Sequence, residues 1–487
     1  MTSSKQNPAI EHADISKDEY WSEVPWVRLF IPYAMAYGLA LLFLDAVYWD
    51  DWELFNADDQ VVLEIFKEAG VIWNWVGYLH ISMLKIGPPL YRITVLVLGY
   101  LCGVLLWKLL GTIRGLATDE RFWISVLFLV LPLNPVKFTL INAPVILCLF
   151  AFFLGWYLIV TRRGVVFRGL SLILFLFSFN MNSLLVFYLL PIAHFAWLSA
   201  GTEWKSFIRW GARNILFILA PVLFFWFKNH FFVPYGLSQG YNTISLGLIF
   251  KALLPLPVIA IAFYGINRMT GGWRANRWMI FVCGGMFVTW LAIFPYLAVG
   301  KVPSFNDWGS RHQLLMPLGG AIILVGVGSL LRNLPRVCGT AMIGSIFCCI
   351  YFMGSLTVDW WKQQEIIKLL AQSPEVRVAR TIVIVDDAKK FNAFGRKYRF
   401  YEFNGWLKKA FGEETRFAVN DFELEGVASK HLPDSYRKYV STRLASGDYI
   451  WSAPDLMVTI RFSGPATKLV SGDAFRIETK MLSKKRP

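Results

Sequence analysis

The sequence predicts an α-helical polytopic membrane protein with a small mixed α/β domain at its C-terminal end. Its 487 residues are 56% hydrophobic and only 17% charged, whereas a soluble protein carries about 25% charged residues. Apolar stretches of roughly 20 residues, long enough to span the hydrocarbon core of a bilayer, recur through the first three quarters of the chain. From Asp359 onward no apolar stretch reaches that length. We therefore expect a transmembrane domain over residues 29–358 and a separate domain over residues 359–487.

Residues 1–28 are polar, and the first apolar stretch follows them. A signal peptide would begin its apolar segment earlier and would end it with small residues at a cleavage site. We expect residues 1–28 to form a cytoplasmic tail that leads into an uncleaved first span.

The net charge of +15 does not indicate a nucleic-acid-binding protein. Much of the Lys and Arg lies in short clusters between apolar stretches, and this pattern sets the orientation of membrane helices. We expect the clusters to lie in the cytoplasm. They are Arg114 with Arg121; Arg162, Arg163 and Arg168; Lys205, Arg209 and Arg213; Arg268, Arg274 and Arg277; and Arg332 with Arg336.

Each apolar stretch between neighbouring basic clusters has a break near its middle that is rich in Pro, Gly and Asn. Such breaks interrupt a helix, so each stretch is predicted to cross the membrane and return. The breaks are residues 132–144, 179–183, 228–242 and 301–313. The count is about eleven spans, with a hairpin between Gly169 and Ser199. This topology places the end of the first span and the C-terminal domain outside the cytoplasm.

The C-terminal domain is predicted to mix strands and helices. Residues 380–385 and 455–462 are rich in β-branched residues and predict strands. Residues 358–373 and 401–411 have apolar residues at the 3.6-residue spacing of a helix.

The first outer loop, residues 49–87, begins within the sequence "YWDDW" at positions 48–52 and is strongly acidic. Residues 58–70 start with acids, which a helix N-terminus favours, and end with Gly. Residues 71–87 are apolar with Trp and Tyr, which suits a helix that lies at the membrane interface.

This layout resembles the GT-C superfamily of membrane glycosyltransferases. The shared features are paired acids after the first span, a long first outer loop, about eleven spans and an extracytoplasmic C-terminal domain. Asp50 with Asp51, together with "DWGSRH" at 307–312, carry the resemblance at the level of residues. It implies a polyprenyl-phosphate-linked sugar donor and a glycan or glycolipid acceptor. In layout the chain looks like bacterial inner-membrane enzymes that modify O-antigen, part of lipopolysaccharide, or other cell-envelope glycans.

The acid pair fits sugar transfer because an acceptor hydroxyl needs a base to take its proton. We expect Asp50 or Asp51 to be that base, and the other to orient it or the sugar. Trp49 and Trp52 are expected to anchor the membrane interface or to stack on a sugar ring. Two alternatives remain open: the carboxylates hold a divalent cation, Mg²⁺ or Mn²⁺, or the pair caps the loop without catalysis.

The leaving lipid phosphate needs a positive partner. Arg311 and His312 are the predicted phosphate ligands, because Arg grips phosphate with parallel hydrogen bonds. Lys301 or Lys85 is expected to assist, and Asp307 and Trp308 are expected to contact substrate. Alternatively, Arg311 anchors its span at the interface by snorkelling.

The remaining candidates are expected to be structural. All six Cys lie in apolar stretches and predict packing rather than disulfides or metal binding. Packing, turn or capping roles are expected for His80, His194, Lys137, Asn180, Asn182, Asp386 and Asp387. Alternatively, Lys137, Asn180 and Asn182 hydrogen-bond sugar hydroxyls at the outer breaks, and Asp386 and Asp387 bind an acceptor or a metal.

Three rival functions fit parts of the sequence. A lipid-linked saccharide polymerase or ligase uses polyprenyl carriers but depends on arginines in a large late loop. A polyprenyl-linked lipid transporter or flippase would carry ionisable residues along its spans, where Asp45 is the main acid. A structural envelope protein would use its C-terminal domain to bind a partner. Transfer from a polyprenyl-phosphate sugar would distinguish the enzyme from the other classes.

Overall fold

The structure is a computed structural model, and it is mostly helical with one small sheet near the C-terminus. It describes residues 24–55, 57–113, 115–200, 204–240, 243–269, 277–305, 308–412, 415–421, 452–465 and 468–482. Most of the predicted cytoplasmic tail, Arg114, Arg274, Asp307 and part of the C-terminal domain therefore lie outside the described residues.

The first half of the chain forms a series of helices joined by short 3₁₀ turns. The α-helices are α1 Trp26–Tyr37, α2 Asp51–Phe55, α3 Asp59–Glu68, α4 Trp75–Ile86, α5 Pro88–Leu110, α6 Thr118–Val130, α7 Ala143–Thr161, α8 Val165–Ser178, α9 Ser183–Phe187 and α10 Leu189–Ala200. The 3₁₀ helices are Gly38–Phe43, Ile72–Asn74, Pro135–Phe138 and Leu140–Asn142.

The second half continues the helices and adds the sheet. The α-helices are α11 Trp204–Arg213, α12 Ile215–Phe231, α13 Leu246–Leu253, α14 Pro255–Met269, α15 Arg277–Leu297, α16 Met316–Leu330, α17 Leu334–Gln372, α18 Pro374–Val378, α19 Phe400–Phe411 and α20 Lys468–Ser471. The strands are β1 Thr381–Asp386, β2 Phe417–Asn420, β3 Leu456–Phe462 and β4 Phe475–Met481. The 3₁₀ helices are Gly236–Ser238, Trp308–Gln313, Lys389–Phe391 and Ala393–Gly395.

Within the described residues, six helices are long and apolar enough to cross a membrane. The pair α11 and α12, bent by 57° at their junction, makes a seventh if it counts as one span. Other apolar helices are shorter; the 14 residues of α8 rise only about 21 Å, against a hydrocarbon core of about 30 Å. The count of eleven spans is therefore not confirmed, because Pro, Gly and Asn end several apolar stretches before they reach span length.

The first loop and the four predicted breaks gather at one end of the bundle. Two breaks contact the first loop directly, through Leu140 with Asp51 and Tyr235 with Glu68. Phe177, two residues before a third break, packs on Trp75 of the first loop. In the fourth break, the 3₁₀ helix Trp308–Gln313 packs against the 3₁₀ helix Pro135–Phe138. The predicted hairpin region contains two helical segments, α8 and α9–α10, on either side of the 179–183 break. Polar breaks that are distant in sequence thus form one face.

Helix α17 connects the bundle to the C-terminal domain. Its 39 residues make a rod of about 58 Å, so it extends well beyond a bilayer-length segment. The sheet has the strand order β2-β1-β3-β4, in which β1 is parallel to β2 and β3, and β4 is antiparallel to β3. The strands predicted at 380–385 and 455–462 are confirmed as β1 and β3. The predicted helices are confirmed as the end of α17 and as α19.

The cysteines are free, and five of the six are buried, as a packing role predicts. Cys348 is the exception, because it lies on an exposed side of α17. Its predicted burial is wrong: an apolar stretch in a membrane helix has an outer side as well as a packed side.

Candidate functional site

The side chains of "YWDDW" fill the junction between the bundle and the C-terminal domain. The Tyr48 hydroxyl donates a hydrogen bond to the carbonyl of Leu356 in α17 (2.7 Å). The Trp52 indole N–H donates to Oε1 of Gln363 one to two turns further along α17 (3.0 Å). The two contacts attach the start of the first loop to the helix that carries the C-terminal domain.

Both tryptophans are buried, so their predicted role in stacking on a sugar or anchoring the interface needs correction. The ring of Trp49 stacks on Phe394 at 6.2 Å, and the guanidinium of Arg396 lies 4.4 Å from its centroid. Trp52 packs so tightly on α19 that a Cβ at Gly405 would lie 2.8 Å from its ring. The C-terminal domain covers both indoles because burial of their large apolar faces has a lower free energy than exposure to water.

Asp51 is fully buried at the start of α2. Its carboxylate accepts hydrogen bonds from the backbone N–H groups of Leu140 (2.8 Å), Ile141 (2.9 Å) and Tyr48 (3.4 Å). Burial raises the pKa of Asp51 to about 7, although these N–H donors and the charge of Arg92 act in the opposite direction. Asp51 therefore connects the first loop to the 132–144 break.

Arg92 supplies positive charge close to Asp51. It is fully buried near the start of α5, and its guanidinium donates to the carbonyls of Leu44 (2.9 Å) and Ala46 (2.5 Å). These contacts fix the segment between the first span and "YWDDW". A buried cation of this kind favours an anion nearby.

Asp50 occupies a different environment from its neighbour. Its side chain is only half-buried, and it accepts a hydrogen bond from the hydroxyl of Tyr401 in α19. Burial, together with the carboxylate of Asp50, raises the pKa of Tyr401 above its ordinary range. The two adjacent carboxylates thus engage different partners, Asp51 on the bundle side and Asp50 on the C-terminal domain.

Backbone hydrogen bonds compete with a divalent cation for the oxygens of Asp51. Both oxygens of Asp51 are engaged by backbone N–H donors, whereas a metal ligand offers its oxygen lone pairs to the ion. Among the described ranges of the chain, no group of three or more His, Cys, Asp or Glu side chains could hold a metal ion.

The predicted phosphate ligands lie in the 3₁₀ helix Trp308–Gln313. His312 is buried with its ring 4.8 Å from that of Tyr296, and Nε of Arg311 lies 3.3 Å from Nε2 of His312. Arg311 is half-buried. Of the two predicted substrate contacts, Asp307 and the side chain of Trp308 lie outside the described residues.

The two predicted assisting lysines occupy different positions. Lys301 is half-buried in the loop after α15, and its backbone N–H donates to the carbonyl of Tyr296 (2.9 Å). Lys85 is exposed at the end of α4, where Nζ lies 3.4 Å from the carboxylate of Asp59. Lys85 therefore bridges α3 and α4. This surface ion pair already provides its ammonium with a partner.

The sequence favours a turn or capping role for Lys137, with a contact to sugar hydroxyls as the alternative, and the structure places it beside a cavity. This cavity of about 50 Å³ lies among α1, α5, α6, α7 and α16. The Lys137 ammonium lies 3.5 Å from the ring centroid of Tyr37. The signal in the sequence was the one charged residue, a lysine, in a break on the face where the breaks meet.

A buried ionic cluster in the C-terminal domain was also missed. Nζ of Lys362, fully buried in α17, donates to both oxygens of Asp386 (2.7 and 2.8 Å) and to Asn392 (2.6 Å). Nearby, Arg396 grips Glu402 with two hydrogen bonds (2.5 and 2.6 Å). Asp386 therefore does more than end a strand: it attaches the sheet to α17.

The other candidate residues have structural partners. His80 stacks between Phe66 (5.0 Å) and Tyr91 (5.5 Å), and burial lowers its pKa to about 3. Between helices, His194 lies within hydrogen-bond distance of Thr112 (3.0 Å) and accepts from Trp156 (3.1 Å).

In the 179–183 break, Lys228 donates to Asn182 (2.8 Å) and to the backbone of Asn180 (3.5 Å). Asp387 pairs with Arg461 at the surface (3.5 Å).

Comparison with known proteins does not place the chain in a family. No protein-family model matches it, and no curated protein gives a significant match. Any functional statement therefore depends on the geometry of the site.

Proposed function

We propose that the protein is a membrane glycosyltransferase of GT-C type that moves a sugar from a polyprenyl-phosphate donor to a cell-envelope glycan or glycolipid. One observation carries the proposal. A half-exposed carboxylate, Asp50, lies beside a buried one, Asp51, where the 132–144 break meets the first loop. Acidic side chains at a membrane boundary are costly and usually functional.

In the proposed reaction, Asp50 takes the proton of the acceptor hydroxyl. The acceptor oxygen forms a bond with the anomeric carbon of the sugar, and the bond from that carbon to the donor phosphate oxygen breaks. The electron pair of the broken bond stays on the phosphate oxygen, which leaves as polyprenyl phosphate. A base in position typically contributes about 10²- to 10⁴-fold to such a step.

Asp50 suits the role of base better than Asp51. A base must come within hydrogen-bond distance of the acceptor hydroxyl, and the half-buried side chain of Asp50 permits that approach. Asp51 is enclosed, and backbone N–H groups engage both of its oxygens. We assign Asp51 to positioning: it attaches the base-bearing loop to the 132–144 break.

Arg311 and His312 remain our proposed contacts for the departing phosphate. They lie on a 3₁₀ helix that packs against the 132–144 break, which also binds Asp51. Lys301 lies in the same loop, whereas Lys85 is engaged with Asp59 at the surface. Positive charge near the leaving oxyanion would stabilise the transition state.

The proposal includes a location and a topology. Apolar helices of span length support an integral membrane protein. We propose the bacterial inner membrane, about eleven membrane passages when the shorter apolar helices are counted, and an active face on the extracytoplasmic side. The polymerase or ligase and the flippase are the alternatives.

The direct test is donor turnover by the purified full chain in lipid nanodiscs. Donors would be polyprenyl-phosphate-linked radiolabelled hexoses and pentoses, with a total glycolipid extract of a bacterial envelope as acceptor. We expect label to move to the acceptor and polyprenyl phosphate to be released. Nucleotide sugars serve as the negative control. Absence of transfer from every donor, with a folded protein, would contradict the proposal.

A further inference from the structure

The ammonium of Lys137 lies in unusual surroundings for a lysine. Three aromatic rings approach it, with centroids at 3.5 Å for Tyr37, 5.3 Å for Phe138 and 5.8 Å for Tyr33. Among the described residues, no carboxylate forms an ion pair with it. Aromatic faces attract a cation but leave its charge uncompensated, so the site favours an anion.

The cavity beside Lys137 has a second unsatisfied polar group. Asn134 also lines it and is 8% exposed, and its Oδ1 has no hydrogen-bond partner among the described residues. Most of the other lining residues are apolar. Buried polar groups are normally paired, so an unpaired amide that lines a cavity indicates a missing partner.

Size and chemistry restrict that partner. A water molecule needs about 10–15 Å³ of such space, so about 50 Å³ accommodates about three to five water-sized groups. A phosphate group, with four oxygens, matches this number. A lysine ammonium binds phosphate as a point charge, and an asparagine amide can turn either its oxygen or its NH₂ toward the ligand.

Residues that line the cavity are close in sequence both to a residue that binds Asp51 and to the predicted phosphate ligands. Lys137 is three residues from Leu140, whose N–H binds Asp51, so their Cα atoms are within about 11 Å. On the other side, Leu314 and Pro317 line the cavity directly after Arg311 and His312. A donor phosphate here would be close to the segments that carry the acid pair and the basic 3₁₀ helix.

We infer that this cavity binds the phosphate group of a polyprenyl-phosphate ligand, with Lys137 as its counter-ion and Asn134 as a second contact. The inference rests on the proposed function and adds Lys137 as a phosphate-binding residue, where the sequence favours a turn or capping role. Binding is separable from transfer, so it can be measured whether or not a sugar moves.

The test is equilibrium binding to the full chain in nanodiscs, with farnesyl phosphate, inorganic phosphate and farnesol as the probes. Farnesyl phosphate should bind wild-type protein, and farnesol, which lacks the phosphate, should not. Lys137→Met should weaken farnesyl phosphate binding about ten- to a hundredfold, and Lys137→Arg should retain it. The matched control is Lys67→Met, which removes an exposed charge of the first loop.

The probes also identify the source of the phosphate. Tight farnesyl phosphate binding with weak inorganic phosphate binding supports a lipid ligand. Equal binding of both would overturn the lipid assignment. Unchanged affinity in Lys137→Met would overturn the site itself.

A footprinting experiment on wild-type protein avoids variants that fail to fold. Farnesyl phosphate should protect Lys137, and not Lys67, from an amine-reactive reagent detected by mass spectrometry. Equal modification of Lys137 with and without the ligand would also overturn the inference. Loss of transfer with intact binding would contradict only the proposed function.

Discussion

Adjacent residues in "YWDDW" differ sharply in environment, and this difference decides their roles. Asp51 is enclosed and accepts three backbone hydrogen bonds, while Asp50 is half-exposed and contacts Tyr401. The backbone of Trp49 has a φ of 49°, in the left-handed region that non-glycine residues rarely adopt. Such strain is retained where surrounding contacts over-determine the conformation, and here it turns the two carboxylates toward different partners.

The raised pKa of Asp51 predicts a pH-dependent stability. The folded-state pKa is about 7, whereas an unfolded Asp titrates near 4. Between these values the folded chain holds a proton on Asp51 that the unfolded chain has lost. The contribution of Asp51 to the free energy of unfolding therefore falls as pH rises from about 4 to 7. We expect the melting temperature of wild-type protein to fall more between pH 5 and pH 8 than that of Asp51→Asn.

The measurement is thermal unfolding of both proteins in nanodiscs by tryptophan fluorescence. The control is Asp58→Asn, which changes an exposed acid of the same loop and should follow wild type. If the melting temperatures of Asp51→Asn and wild type depend on pH in the same way, Asp51 does not titrate as described.

At the scale of elements, α17 and α19 hold the first loop to the C-terminal domain. Gln363 of α17 accepts hydrogen bonds from the indoles of both Trp52 (3.0 Å) and Trp406 (3.2 Å). Gly405 of α19 lets the helix approach the ring of Trp52 closely. The position of Asp50 therefore depends on the docking of a domain more than 300 residues away in sequence.

A methyl group at Gly405 should disturb this docking. In Gly405→Ala the new Cβ would lie 2.8–3.0 Å from three carbons of buried Trp52, which is too close. Overpacking costs about 1–3 kcal/mol, and the better helix propensity of Ala offsets at most about 1 kcal/mol of this. We expect a lower melting temperature and faster proteolytic release of the C-terminal domain.

The control is Gly344→Ala in α17, where a Cβ meets no atom within 4 Å. It should leave stability unchanged or raise it slightly, because Ala favours the helix. Equal stability of Gly405→Ala and wild type would contradict the tight contact at Trp52.

At the scale of the whole molecule, described members of two basic clusters lie at the end of α5 away from the first loop. The loop that follows α5 lies far from the first loop, and there Arg277 pairs with Glu120. The guanidinium of Arg121 lies 4.3 Å from the ring of Trp107 at the same end. This separation is what the charge pattern predicts for a protein with one cytoplasmic and one outer face.

Cysteine labelling tests this topology. In a Cys348→Ser background, Lys67→Cys in the first loop and Glu478→Cys in the C-terminal domain should react with a membrane-impermeant maleimide on intact cells. Arg163→Cys, at the end of α7, should react only after permeabilisation. These three positions are exposed or partly exposed. Reaction of Arg163→Cys on intact cells would contradict the topology. A difference in accessibility between Lys67→Cys and Glu478→Cys would contradict it as well.

Local chemistry explains which parts of the structure were predictable. Strands β1 and β3, helix α19 and the helices α3 and α4 of the first loop were predicted because hydrophobic period and turn residues act over a few positions. The burial of Trp52 was not, because its partner Gln363 is 311 residues away. The pairing of Asp51 with Leu140 and of Lys362 with Asp386, and the cavity at Lys137, likewise depend on packing that no local pattern records.

The most direct test of the central claim compares Asp50→Asn with wild type in the transfer assay. Removal of the base should lower the rate about 100-fold or more, while donor binding and melting temperature stay close to wild type. Asp58→Asn, which changes an exposed acid of the same loop, should keep the wild-type rate. A folded Asp50→Asn protein that transfers sugar at the wild-type rate would contradict the assignment of Asp50 as the base.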